Sequence, residues 1–211
     1  MACKVNSDVK LEMLHPLLQH KIEAFFKKCD NLGYGVGISC GYRSFDEQNK
    51  LYAQGRTEKG SVITNARGGY SQHNFGWACD IYRNEKGHGA YDDSDGWFKK
   101  VAKVAKSVGL CWGGDWKSFQ DKPHFYIGTY GDTTEQLRTK FGTYERFKST
   151  WKKTVAYKTG IRMWKGKNIV TKVLTKIPNG KCVDVLFTSK FWWSKVKFDG
   201  KVGYVKKKYL V

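Results

Sequence analysis

Hydrophobic residues recur at three- and four-residue intervals near the start of the chain, the spacing of one helix face. This pattern predicts an amphipathic helix from about Val9 to Lys28, interrupted near its start by Pro16. His15 and His20 are five residues apart on this helix, so we predict surface positions on different faces and no shared metal. The predicted hydrophobic face consists of Leu11, Leu14, Leu17, Leu18, Ile22 and Phe25.

Capping signals predict a second helix over residues 45–54. Ser44 and Glu47 have the spacing of a capping box, in which the two side chains satisfy backbone N–H groups of the first turn. Gly55 follows where a helix of this length would end. A third helix is predicted over residues 96–107 from its hydrophobic period.

Three short apolar runs with turn residues at both ends predict strands. They are VGISCGYRS from Val36, WACDIY from Trp77 and KPHFYI from Lys122. Helices and strands do not alternate regularly here, as they would in a parallel-sheet protein. We therefore predict an α+β domain with a small antiparallel sheet and flanking helices.

The hydrophobic pattern of the C-terminal part differs from that of the preceding residues. There, apolar and polar residues alternate through several short strands. Asn179-Gly180 and Asp199-Gly200 are pairs typical of tight hairpin turns. The alternation predicts a small all-β barrel over residues 154–211, after a first domain over residues 1–148.

Charge is distributed unevenly between these two parts. The 211 residues carry a formal charge of +19, of which residues 1–150 hold +5 (22 basic, 17 acidic) and residues 151–211 hold +14 (16 basic, 2 acidic). Such a field attracts polyanions, including nucleic acid, anionic lipid and cell-wall polymer. No run approaches the roughly 20 apolar residues of a membrane helix, and no secretory signal opens the chain, so we expect no membrane insertion.

Two histidines, His73 and His124, lie in the segments SQHNFGWACD and DKPHF, each of which also contains an aspartate. A hydrolytic zinc site needs three imidazole or carboxylate ligands and one open position for water, which His73, Asp80 and His124 would supply. Asp121 would then be a general base beside the metal. Arg43 has a guanidinium suited to a substrate carboxylate or a developing oxyanion.

Each of these residues also has an ordinary structural interpretation. A histidine considered alone is more often a hydrogen-bonded structural residue than a metal ligand, and a lone aspartate or arginine is more often a cap or a surface charge. A cysteine peptidase using Cys79 or Cys111 is a further alternative, which the predicted strand disfavours because Cys79 points away from Asp80.

The combination resembles a known family, the zinc D-alanyl-D-alanine carboxypeptidases and L-alanyl-D-glutamate endopeptidases that cut bacterial peptidoglycan. Its S-x-H-x-x-G-x-A-x-D pattern is filled by Ser71, His73, Gly76, Ala78 and Asp80, and its acid-x-x-His element by Asp121 and His124. The resemblance implies one zinc ion per chain on His73, Asp80 and His124, with Asp121 as catalytic base. It also implies substrate or transition-state contacts from Arg43 and substrate contacts from Ser71.

Two longer stretches, GYRSFDEQNKLYAQG and CWGGDWKSFQDKPHF, resemble the L-alanyl-D-glutamate subgroup found in phage endolysins. This resemblance implies cleavage of the peptidoglycan stem peptide and a cleft lined in part by Trp116. An alternative is that Trp116 packs in the core. D-alanyl-D-alanine carboxypeptidase activity is the alternative specificity.

The C-terminal sequence resembles the bacterial SH3-like wall-binding module. We expect wall contacts from Trp164, Trp192 and Tyr204, with core packing as the alternative for each. The resulting hypothesis is a monomeric endolysin that accumulates in the host cytoplasm and reaches the wall after the membrane is opened. A host autolysin and a non-catalytic wall-binding protein are alternatives; nucleic acid is not expected as a partner, because no reader motif is present.

Overall fold

A computed structural model describes residues 3–128, 133–189 and 192–211. The chain divides into two compact units, Met1–Tyr144 and Glu145–Val211. Five α-helices are present in the described residues: α1 Pro16–Asn31, α2 Phe45–Ala53, α3 Trp97–Ser107, α4 Thr134–Phe141 and α5 Tyr144–Lys148. None of the described helices combines the length and the apolar character needed to cross a bilayer.

The first helix begins later than the hydrophobic period predicted. α1 starts at Pro16, because proline lacks an N–H and is accommodated only in the first turn. His15 caps the helix by accepting a hydrogen bond from the Leu17 N–H, and its ring lies edge-on against Trp77. The predicted surface position of His15 is therefore wrong: the residue is buried, and burial lowers its pKa to about 3.

The second helix has the predicted capping box. Ser44 Oγ accepts from the Glu47 N–H at 3.1 Å, and the Glu47 carboxylate accepts from the Ser44 N–H at 2.7 Å. These bonds fix the start of α2 at Phe45, with Ser44 as its N-cap, so they also fix the backbone next to Arg43.

A five-stranded sheet forms the centre of the first unit, in the order β1-β2-β3-β5-β4. The strands are β1 Lys4–Val5, β2 Val36–Cys40, β3 Ala78–Arg83, β4 Cys111–Trp112 and β5 His124–Tyr126. Four strands pair antiparallel as predicted, whereas β1 runs parallel to β2, which the sequence pattern did not indicate. The mixed α+β class of this unit is confirmed.

The register of β3 determines which side chains meet. Asp80 lies opposite His124 on β5 and opposite Cys40 on β2, where a bulge shifts the pairing after Ile38. Cys79 points to the other face and is buried in the core. The core holds α1 against the sheet through stacked Phe25 and Phe125 rings.

The second unit is a six-stranded antiparallel sheet in the order β6-β9-β10-β11-β7-β8. Its strands are β6 Lys152–Thr154, β7 Ile161–Trp164, β8 Val173–Ile177, β9 Cys182–Thr188, β10 Trp193–Phe198 and β11 Lys201–Lys206. Among the described strands, β6 and β8 are the two ends of the pairing order, so strand pairing gives a sheet and not a closed barrel. The core consists of Val155, Ile161, Met163, Ile177, Val183, Val196 and Val205.

One hairpin turn of this unit is the one that the sequence predicts. Asp199 and Gly200 both have positive φ, 48° and 69°, and form the tight turn between β10 and β11. The end of β6 pairs with the C-terminal residue, because Thr154 and Val211 exchange backbone hydrogen bonds of 2.9 and 3.0 Å.

Candidate active site

Three separate segments bring His73, Asp80 and His124 together. His73 lies in a short 3-10 helix, Gln72–Phe75, which ends at Gly76 in the left-handed conformation with φ of 60°. A residue with a Cβ rarely adopts that conformation, so the glycine of the predicted motif has a clear physical role. The chain then enters β3, and pairing between β3 and β5 sets Asp80 against His124.

The three donor atoms form a triangle with equal sides. His73 Nε2, His124 Nδ1 and Asp80 Oδ1 are each 3.2 Å from the other two. Ligand atoms at 2.0–2.1 Å from a tetrahedral zinc ion lie about 3.3 Å apart. Two imidazole nitrogens and one carboxylate oxygen at this spacing therefore fit zinc, and leave the fourth position open.

Neighbouring groups fix which imidazole nitrogens face the triangle. The second nitrogen of His73, Nδ1, lies 2.6 Å from the Gly41 carbonyl oxygen, and His124 Nε2 lies 2.8 Å from Gln72 Oε1. Both oxygens accept hydrogen bonds, so these nitrogens carry the protons. The lone pairs are then left on His73 Nε2 and His124 Nδ1, as metal ligation requires.

Strong electrostatic coupling connects His73 and Asp80 when no metal is bound. Burial disfavours the charged imidazole, but the charge and hydrogen bond of Asp80 outweigh this effect and raise the pKa of His73 to about 10. Burial would raise the pKa of Asp80, but the charge of His73 and hydrogen bonds from both histidines hold it below its ordinary value. A metal would replace the shared proton at this position.

Asp121 lies in the turn that leads into β5. Its backbone N–H bonds the Gly113 carbonyl at 3.1 Å, and its carbonyl accepts from the His124 N–H. A Cβ at Gly113 would lie 2.6 Å from the Asp121 carbonyl oxygen, so only glycine permits this close approach. Burial, and then the charge of Asp80, raise the pKa of the Asp121 carboxyl.

Arg43 is held by two side-chain contacts. Its Nη1 donates to Gln48 Oε1 at 2.8 Å, and its Nη2 donates to Cys40 Sγ at 3.1 Å. The buried Gln48 in turn donates to the Ala66 carbonyl, which ties α2 to the loop on the cleft wall. These contacts aim the guanidinium at the cleft.

One cavity of about 670 Å³ brings together all the residues that the sequence suggested for catalysis, metal binding and substrate contact. Those residues are Arg43, Ser71, His73, Asp80, Trp116, Asp121 and His124. The indole of Trp116 faces the His124 ring at 5.1 Å and donates to the Tyr126 hydroxyl. Exposed Ile63, Tyr70 and Phe119 add apolar surface to the wall.

The structure adds residues that the sequence did not single out. Asn74 is buried; its side chain accepts from the Gly69 and Ser71 N–H groups and donates to the Arg43 carbonyl, joining the two motifs. Gln72 orients His124, and Gln48 orients Arg43. Gln72 and Asn74 occupy positions that the motif leaves variable, and Gln48 lies outside the motif, so only the folded contacts identify these amides.

Cys40 was also missed. Its Sγ, with donor atoms of His73 and Asp80, forms a second cluster whose atoms lie within 4.8 Å of one another. However, Cys40 faces the Nδ1 edge of the His73 ring, 3.8 Å away, where Gly41 already accepts a hydrogen bond. The set with His124 therefore fits a metal better. Burial raises the pKa of the Cys79 thiol, which makes it a poor nucleophile.

The aromatic residues predicted to contact the wall lie in the second unit. Trp164 and Tyr204 are half-buried neighbours on β7 and β11, and Trp192 is 67% exposed. Trp193, which the sequence did not single out for this role, packs its ring against Trp164 at 5.6 Å.

Part of the chain resembles known proteins. Residues 64–127 match a sequence family described as D-alanyl-D-alanine carboxypeptidase. The peptidoglycan L-alanyl-D-glutamate endopeptidase CwlK of Bacillus subtilis is 42% identical over 120 residues, which cover 53% of this chain and 71% of CwlK.

Two solved structures are also similar. The L-Ala D-Glu endopeptidase ChiX of Serratia marcescens is 22% identical with a TM-score of 0.43, covering 56% of this chain and 82% of ChiX. A mutant of the D,D-pentapeptidase VanY from a VanB-type vancomycin resistance cassette, solved in complex with Zn(II), is 14% identical with a TM-score of 0.43, covering 54% of this chain and 72% of VanY. Because the sequence match extends over more than two thirds of CwlK, the chain belongs to the M15 family of zinc peptidases, together with CwlK.

Proposed function

We propose that the chain is a peptidoglycan endopeptidase that cuts the amide bond between L-alanine and D-glutamate in the stem peptide. The observation that carries the proposal is the triangle of His73, Asp80 and His124 beside Asp121 in one open cavity. The identity to CwlK supports this choice of bond.

One zinc ion per chain fits the donor set, and His73, Asp80 and His124 would hold it. When bound, zinc supplies a Lewis acid that activates water near neutral pH. Asp121 accepts the proton of the attacking water and donates it to the leaving amine nitrogen. Arg43 donates from its guanidinium to the carbonyl oxygen of the scissile bond or to a nearby carboxylate of the stem peptide.

Arg43 and Leu51 line both the first cavity and a second cavity of about 460 Å³. Ser71 and Trp116, which also line the first cavity, are proposed substrate contacts.

A second candidate activity is D-alanyl-D-alanine carboxypeptidase, favoured by the family description that residues 64–127 match. The two activities leave different products. Mass analysis of digested wall is expected to find new amino termini on D-glutamate, whereas released D-alanine would establish the carboxypeptidase. Digestion that survives complete removal of metal by a chelator would refute both.

We further propose that the second unit is an SH3-like wall-binding module, with the domain limits 1–148 and 154–211. Its six short strands and the hydrogen bonds between Thr154 and Val211 support this interpretation. Trp164, Trp192 and Tyr204 are its proposed wall contacts. The chain would act as a monomeric phage endolysin, stored in the host cytoplasm and admitted to the wall when the membrane opens; a host autolysin is the alternative.

A further inference from the structure

A row of aromatic and lysine side chains crosses one face of the second unit. Strand register sets Phe187 on β9 opposite Lys195 on β10, Lys195 opposite Tyr204 on β11, and Tyr204 opposite Trp164 on β7. Residues directly opposite each other on paired strands share a face of the sheet. All four are half-buried, whereas Val185, Val196 and Val205 fill the core on the other face.

A bulge in β9 completes this row. Pairing with β10 shifts between Lys195 and Val196, and the consecutive residues Val185 and Leu186 are both buried. The extra residue re-aims the strand, so Phe187 reaches the outer face instead of the core. Without the bulge, Phe187 would lie on the core side.

Two further lysines, Lys206 and Lys167, lie over aromatic rings on this face of the sheet. Lys206 is opposite Trp193, and its Nζ lies 4.0 Å from the centre of that ring. Lys167, in the loop after β7, has its Nζ 5.8 Å from the Tyr204 ring and 5.9 Å from the Phe187 ring. We call this surface the aromatic-lysine face; it consists of Trp164, Lys167, Phe187, Trp193, Lys195, Tyr204 and Lys206.

Negative charge is almost absent from this part of the protein. Residues 151–211 contain 16 basic residues and two acidic ones. Within β7, β9, β10 and β11, Asp184 is the only acid, and it lies opposite Lys152 and Lys197 on its neighbouring strands. Asp184 shares this face beside Lys197, two residues from Lys195, but lysines outnumber it there and β10 and β11 carry no acid, so the surrounding field is positive.

We propose that the aromatic-lysine face binds an anionic glycan of the cell wall. Flat ring surfaces suit the C–H faces of sugar rings, and the lysines suit the negative groups that those sugars carry. Choosing a wall glycan over another polyanion rests on the proposed function, because the chain belongs to a family with a peptidoglycan endopeptidase among its members.

The test measures binding of the full-length chain, with metal removed by a chelator, to purified walls and to two soluble probes. The probes are polygalacturonate, an acidic polysaccharide, and dextran, a neutral one. We expect the double variant Lys195→Gln, Lys206→Gln to lose about tenfold in affinity for walls and for polygalacturonate. Trp193→Leu, which removes a ring and no charge, is expected to weaken both by a similar factor.

The matched control is the double variant Lys158→Gln, Lys181→Gln, which removes two exposed lysines in turns outside the four strands. We expect its affinities to stay within about twofold of the wild type. Equal losses in both double variants would show that binding depends on diffuse charge, and would overturn the proposal. Dextran binding as tight as polygalacturonate binding would also overturn it.

Duplex DNA at physiological salt is the competing polyanion. DNA that binds tighter than polygalacturonate would assign the face to nucleic acid and refute the glycan. Cleavage of a soluble stem peptide by the zinc-loaded wild type is measured separately. A chain that binds acidic glycan as expected but cleaves no peptide would refute the proposed endopeptidase and leave the glycan site standing.

Discussion

Asp80 and His124 lie directly opposite each other on β3 and β5, and this pairing holds Asp80 Oδ1 3.2 Å from His124 Nδ1. One side of the metal triangle is thus built into the register of the sheet. The third donor, His73, comes from a 3-10 turn before β3, so the site also depends on the loop that Asn74 fastens. The site therefore depends both on the pairing of β3 with β5 and on the loop that carries His73.

Metal removal is expected to make stability depend on pH. In the metal-free chain the pKa of His73 rises from 6.5 to about 10, so its protonated ring stabilises the fold fully below pH 6.5. This contribution declines as the pH rises towards 10. We expect the melting temperature of the metal-free chain to fall over this range, whereas the zinc-loaded chain changes less.

Asp80→Asn is the matched variant for this measurement, because it removes the charge that raises the pKa of His73. Its metal-free melting temperature is expected to change much less between pH 6.5 and 10. Calorimetry in two buffers of different ionisation enthalpy should also show proton release when zinc binds the wild type. A binding enthalpy that is independent of the buffer would contradict the shared proton.

Asp121→Asn is expected to retain zinc and lose about 100-fold or more in kcat/KM on a stem peptide. The amide has nearly the same shape as the carboxylate but cannot accept the proton of the attacking water. Metal content by mass spectrometry and peptide cleavage by chromatography check the two parts. Loss of zinc from this variant would show instead that Asp121 is a ligand.

Arg43→Lys keeps the positive charge but removes the planar fork that contacts Gln48 and Cys40. We expect kcat/KM to fall by about 100-fold with the zinc content unchanged. Arg162→Lys, at an exposed position in the second unit, is the control and should retain wild-type activity on a soluble peptide. Wild-type activity in Arg43→Lys would mean that charge alone suffices.

Local signals in the sequence predicted the parts of the site that local chemistry fixes. The Ser44 capping box and the glycine at position 76 each satisfy a backbone requirement within a few residues. The spacing of His73 and Asp80, with His124 further along, indicated a metal site. These features need no knowledge of distant contacts.

Other features depend on register and could not be predicted from periodicity. The bulge after Ile38 decides that Cys40 lies beside His73, and no local pattern marks that bulge. His15 has the spacing of a surface residue, yet its packing against Trp77 buries it. The parallel pairing of β1 is likewise set by tertiary packing, because two residues carry no usable alternation.

Alkylation of Cys40 is expected to inhibit the enzyme, although the thiol takes no part in the chemistry. An added group at Sγ would displace Arg43 Nη2, now 3.1 Å away, and the 460 Å³ cavity gives a reagent access. Cys40→Ser should remain active and resist iodoacetamide. Inhibition of Cys40→Ser at the wild-type rate would assign the sensitive thiol elsewhere in the chain.

Gln72→Leu tests the support of His124 without changing a ligand. The amide oxygen accepts from His124 Nε2 at 2.8 Å and so holds the proton away from Nδ1, the nitrogen that faces Asp80. Loss of this bond lets the ring turn and change tautomer, and we expect zinc affinity to fall by about 10 to 100-fold. Competition with a chromophoric chelator measures the affinity.

Gln72→Glu should bind zinc at least as tightly as the wild type, because a carboxylate is a stronger acceptor for the same proton. Equal weakening in Gln72→Leu and Gln72→Glu would show that Gln72 matters for packing and not for the orientation of His124.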